Sequence, residues 1–367
     1  MTVKHTTVGA SRPRPGRAYG LGAVAVALTA LVAACSSGAA ADPDPTAGDG
    51  SAVAGVDPPK VAFTTSYFPA TYLNTRYGPI EYGPEYGMDY TEDDYTVFDS
   101  HATAMQAMLS GSADIIGGSF VSDALLREQG QDIQVFCPFV NGDTLALVAR
   151  NGITTADELF DPSTRVATDS PGGAGSLVFN ALLEHMDAPG LVDDLPNTTI
   201  LESSSLRATA LASDQVDAAV IQMQQYLDMQ DEVPDATVLA SFADDVSGVV
   251  MQAYAATESW LQENEDVAVD FCATVLRANE ALAADFDLFS EAANTFMDEP
   301  PTPEQLRTTF DLINDAGIWP EDLTDEAVEY TLGLGVRSGV LSGDLPVDEI
   351  VNRQVLDAAI ARAADAG

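Results

Sequence analysis

The chain carries 57 acidic against 15 basic groups in 367 residues, a formal charge of −42, and such a field excludes nucleic acid and anionic membrane surfaces as natural partners. An apolar content of 46% excludes wholesale disorder, and three cysteines with three histidines give zinc no ligand cluster, so no metal and no cofactor is expected. At this length two lobes are expected rather than one core.

Lys4, Arg12, Arg14 and Arg17 precede an apolar run from Leu21 to Ala34 with no acidic residue among them. That is the pattern of a signal peptide over 1–34, since about fourteen apolar residues are too few to span a bilayer as a helix. Val32-Ala33-Ala34-Cys35 resembles the bacterial lipobox, which implies acylation of Cys35 and a lipid anchor on the extracytoplasmic face of the cell membrane. Cleavage there would remove 4 of the 15 basic groups and none of the acids, leaving Lys60 as the sole lysine. So acidic a surface suits a salty medium, where repulsion is screened beyond about 10 Å, and it reads as solubility. Residues 35–59, rich in Ser, Gly, Ala, Asp and Pro, read as a flexible tether.

From Lys60 onward short β-branched runs alternate with helical patterns. Strands are predicted over Val61–Thr65, Tyr95–Phe98, Asp114–Gly117, Ile133–Phe136 and Leu145–Ala149, with helices over Ala102–Leu109 and Ser122–Gln129. The alternation continues with strands over Arg165–Ala167, Thr199–Leu201, Ala218–Ile221, Thr237–Leu239 and Gly248–Ala255. Helices fall over Ala174–Met186, Ser204–Ala212 and Gln224–Met229. Repeated βαβ units mean mostly parallel sheets. Beyond Ser259 only amphipathic helices follow, at 266–285, 291–297, 303–316 and 325–336, a block that should pack back on an earlier lobe. The expected organisation is a first lobe from 60–150 and 257–367, with a second lobe from 151–256.

Two segments echo each other, Ala104 to Asp114 and Ala208 to Asp217. Each is a short helix, a turn and an aspartate opening a strand, as two similar α/β lobes would produce. Both aspartates read as turn-fixing. Cys137 and Cys272 lie in a strand-like and a helix-like run, and outside the cytoplasmic membrane they could form a disulfide or remain buried thiols.

Several blocks carry a resemblance: Ser66-Tyr67-Phe68-Pro69, Ala107 to Gly117, Gln129 to Val135, Thr144 to Arg150, Arg165 to Gly173 and Ala210 to Val220. In that order the chain resembles the substrate-binding lipoproteins of ABC importers, in the group handling nitrate, alkanesulfonates, taurine and thiamine precursors that also includes fungal thiamine-pyrimidine synthases. The resemblance implies a type II periplasmic-binding-protein fold of two α/β lobes, a hinge and an interlobe cleft. It also implies capture of a small solute by a monomer, delivery to a permease and its ATPase, and no enzymatic step. The synthases' lysine-bound cofactor has no counterpart, because Lys60 lies at the edge of the fold. A sensory or adhesion lipoprotein with the same clamshell is the alternative.

Ligands of open α/β sheets sit beyond the carboxyl ends of the strands. The candidates are therefore Ser66, Tyr67, Phe68 and Tyr72 after the first strand, then Ser100 and His101, Ser119, and Asn141. From the second lobe come Ser170, Gly173, Ala174, Gly175, Ser176 and Gln222. Three glycines in the loop Ser170 to Ser176 offer open backbone N–H groups where a helix starts, an expected cradle for an anionic or carbonyl oxygen. Seven tyrosines crowd between Tyr67 and Tyr95. Most are expected on a surface excursion broken by Gly78-Pro79 and Gly83-Pro84. Ser100 reads as a helix cap, and Gln222 either meets ligand or caps the helix that follows. Few basic residues fall at strand ends, Arg76 and Arg207 being the exceptions, which favours a neutral or cationic heteroaromatic solute.

Overall fold

Two five-stranded sheets frame the computed structural model, which describes residues 56–366 apart from 65–67, 99, 171–172, 247, 299 and 344. The expected signal peptide, Cys35 and the tether up to residue 55 lie outside the described residues. The first half of the chain runs β1 (Val61–Thr64), α1 (Asn74–Tyr82), β2 (Tyr95–Phe98), α2 (His101–Leu109), β3 (Ile115–Ser119), α3 (Phe120–Glu128) and β4 (Ile133–Asn141). It then continues through β5 (Leu145–Ala149), β6 (Val166–Thr168), α4 (Ala174–His185), β7 (Thr198–Ile200), α5 (Ser204–Ala212), β8 (Ala218–Gln222), α6 (Met223–Met229), β9 (Thr237–Ser241), α7 (Phe242–Asp245) and β10 (Val250–Thr257). Helices α8 (Glu258–Glu263), α9 (Glu265–Ala284), α10 (Phe286–Phe296), α11 (Pro303–Asp315), α12 (Asp325–Arg337), α13 (Val347–Ile350) and α14 (Arg353–Asp365) complete it.

The sheet orders are β2-β1-β3-β10-β4 and β7-β6-β8-β5-β9. In each sheet one strand runs against the rest, β10 in the first and β5 in the second. Both are the strands by which the chain arrives from the other lobe, so they enter from the waist, opposite to strands fed by a crossover helix. The sheets are thus mostly parallel with one reversed strand each. Residues 142–144 carry the chain to the second sheet, so β5, expected in the first lobe, belongs to the second, and β10, expected in the second, belongs to the first. Helix-covered sheets explain the uniform burial of Val61, Ala62, Phe63, Ile115 and Ile116. The echo also has a structural basis: Asp114 and Asp217 open β3 and β8, third strands of equivalent sheets. Asp114 accepts from the Lys60 amide (2.8 Å) and Asp217 from the Arg165 amide (2.8 Å) and guanidinium.

The described tyrosines of the crowded stretch pack in or against the core rather than forming a surface excursion, Tyr72, Tyr77, Tyr82 and Tyr86 being half-buried on it. Tyr90 and Tyr95 are buried, and the Tyr95 hydroxyl donates to the Thr75 carbonyl at 2.6 Å. The break expected at Gly78-Pro79 is instead helix α1, which runs through Pro79. Packing on α9 overrides the proline, because a Cβ at Gly78 would strike the Thr274 carbonyl group and only glycine allows that approach. Asn74, fully buried on the same helix, donates to the Phe139 carbonyl and to Asn279 Oδ1, each at 2.7 Å.

The terminal helices pack on the first lobe, as α9 and α14 lie against β4 and the Asn352 amide donates to the Val135 carbonyl at 2.8 Å. A disulfide joins Cys137 of β4 to Cys272 of α9, with the Cα atoms 5.5 Å apart. Two helices of this block also reach the second lobe. Gln305 and Thr309 of α11 bond Asp228 and Gln224 of α6, and Arg337 of α12 pairs with Glu184 of α4 at 2.9 Å.

Candidate ligand site at the waist

The carboxyl ends of both sheets converge on the segment 142–144. Beside it lies a crevice lined by Ala70 and Thr71 from the first lobe, Thr144 from the connection and Gln222 and Met223 from the second, with Leu312 of α11 closing one side. Gln222 is its polar anchor. Its amide nitrogen donates to Asp143 Oδ1 at 3.2 Å, its oxygen accepts from the Thr144 hydroxyl, and its backbone N–H donates to Gln225 Oε1 at 3.0 Å at the start of α6. Gln222 thus both starts a helix and faces the waist.

Asp143 is half-buried on this connection, and burial raises its carboxyl to about 6 against the opposing pull of Gln222, the Thr144 and Leu145 amides and Arg207. The Tyr72 phenol is pushed far above its ordinary value by burial and next by the Asp143 charge. Tyr72 packs edge-on against Phe63, Phe68 and Phe139, with centroids 5.8, 6.3 and 5.8 Å apart. Phe68 carries the Arg76 guanidinium over its ring at 5.8 Å. Asn141 ends β4 half-buried, and its Oδ1 is buried with no hydrogen-bond partner.

The glycine loop differs from the expected anion cradle. Asp169, at the end of β6, accepts from the Ser170 amide at 2.7 Å and the Gly175 amide at 3.0 Å, while the Ser176 hydroxyl donates to the Asp169 carbonyl at 3.1 Å. The helix start is therefore supplied with an anion by the chain itself. Gly173 and Gly175 are needed for this approach, since a Cβ on either would lie 2.7 or 2.8 Å from the Asp169 carboxylate. Ala174 opens α4 directly above. Arg207 lies beneath, 3% exposed, giving its N–H groups to the carbonyls of Val220, Leu201 and Glu202 and standing 4.0 Å from Asp169.

On the first lobe, Ser100 caps α2 by accepting from the Thr103 amide at 3.3 Å, and Ser119 caps α3 by accepting from the Ser122 amide at 3.4 Å. His101 brings Nε2 to 2.9 Å from Asp123 Oδ1 without the alignment of a hydrogen bond, and burial raises the Asp123 carboxyl. Ser66 and Tyr67 lie outside the described residues. Sequence reasoning passed over Asp143 and Asp169; the signal for both was an aspartate one or two residues past an apolar strand.

No family model matches the sequence, and no curated protein does. Solved structures do. The periplasmic sulfonate-binding protein SsuA of Methylobacillus flagellatus superposes with a TM-score of 0.65 at 14% identity, over 84% of this chain and 96% of that one. The ligand-binding component of an ABC-type import system from Staphylococcus aureus, solved with zinc bound, gives 0.62 at 11%, over 83% and 99%. The periplasmic nitrate-binding protein NrtA of Synechocystis gives 0.60 at 14%, over 84% and 89%. With two sheets of matching order, two crossings and a crevice at the waist, the chain has the two-lobed periplasmic-binding-protein fold.

Proposed function

We propose that this protein is an extracytoplasmic solute receptor, anchored by lipid on Cys35 through the 35–59 tether, that captures a small organic molecule and delivers it to the permease of an ABC importer. The observation that carries the reading is the crevice whose walls come from both lobes beside the 142–144 connection. A solute held there touches both halves and favours their closed arrangement by its differential affinity, which is what a downstream permease could sense. The same fold in proteins named for sulfonate and nitrate binding and for ABC import supports it. The reading involves no catalytic step and a monomeric receptor.

Native mass spectrometry of the purified protein tests capture: a small molecule released on denaturation is expected, and turnover of an added compound would contradict the reading. The anchor is tested separately by acyl labelling, with Cys35→Ala expected to lose the label and shed the protein into the medium.

A further inference from the structure

We infer that the captured solute carries a cationic or protonated nitrogen, seated on the Asp143 carboxylate beside Gln222 and Thr144 at the waist, and that anions such as sulfonates are refused. This rests on the receptor reading and assigns its substrate class. Three observations carry it. The first is that Asp143 is a carboxylate without a contacting cation among the described residues. Its hydrogen-bond donors are neutral, the Gln222 side-chain amide at 3.2 Å and the Thr144 and Leu145 backbone amides, and Arg207 acts on it only through space.

Basic groups near the site are the second observation, because both candidates are committed elsewhere. Arg76 pairs with Glu92 at 2.7 Å and stacks 4.1 Å over Tyr95, while Arg207 spends its donors on backbone carbonyls and on Asp169. Third, the helix start that would serve an anion already holds Asp169, so a sulfonate arriving there would meet a like charge instead of free N–H groups. Asn141 adds a buried acceptor lacking a donor on the strand leading to Asp143, a deficit that an N–H of the solute could fill.

The test is calorimetry and thermal shift with size-matched probes: benzamidinium and 4-aminopyridinium as cations, benzamide as the neutral form, benzenesulfonate and nitrate as anions. Cation-selective binding is expected, falling about tenfold or more in Asp143→Asn, whose melting curve certifies that it is folded. Selectivity for benzamide, benzenesulfonate or nitrate overturns the inference and leaves the receptor reading standing, as does cation binding that Asp143→Asn does not weaken. Should no probe bind, the solute released in native mass spectrometry decides: a cation supports the inference, and a neutral or anionic molecule overturns it. Absence of both probe binding and released solute overturns the inference together with the receptor reading.

Discussion

At the scale of single residues, Asp143 costs stability as it stands. Its folded carboxyl titrates at about 6 against an ordinary 3.8, so between those values the folded state binds more protons than the unfolded one and wild-type stability rises as pH falls through that window. Asp143→Asn is therefore expected to melt above wild type at pH 8, by about 2 °C or more, with the gap closing toward pH 4, as differential scanning calorimetry would show. A carboxylate kept at such a cost is what a binding function would require. Gly175→Ala is expected to destabilise by about 1–3 kcal/mol in urea titration, because the new methyl would lie 2.8 Å from the Asp169 carboxylate and 2.9 Å from Arg207 Nη2. The glycine pattern of this loop was visible in the sequence. Its purpose was not, since the partner that fills the loop is a side chain whose orientation no local spacing reveals.

Among elements, β4 and α9 are tied by the Cys137–Cys272 bridge across 135 residues of chain. Reductant should lower the melting temperature of wild type and leave a Cys137→Ala/Cys272→Ala variant, itself weaker by about 2–4 kcal/mol, unchanged. Helices α11 and α12 belong to the first lobe by packing yet hold the second through Gln305–Asp228 and Arg337–Glu184. Arg337→Ala is expected to weaken the closed arrangement by about 0.2–1 kcal/mol, read as a larger radius of gyration by small-angle scattering and slightly weaker solute binding. Helical periodicity located α9, α11 and α12 well. It passed over α14, and also α1, whose Pro79 argued for a turn but whose burial on α9 repays the hydrogen bond lost there.

For the whole molecule, a charge of −42 means self-repulsion that salt screens, so the unfolding midpoint is expected to climb with added sodium chloride before any solute is present. The sequence by itself determined the order of the strands and of most helices and the α/β class with its two similar halves. Each of those follows from local periodicity. Only the tertiary structure decided that the strands arriving through the waist run backwards, that α11 and α12 grip the far lobe, and that Asp169 occupies the glycine loop while Asp143 has no contacting cation among the described residues. These depend on contacts between residues far apart in the chain, such as Gln222 with Asp143 across 79 positions, and charge compensation becomes definite only when the partners are brought together.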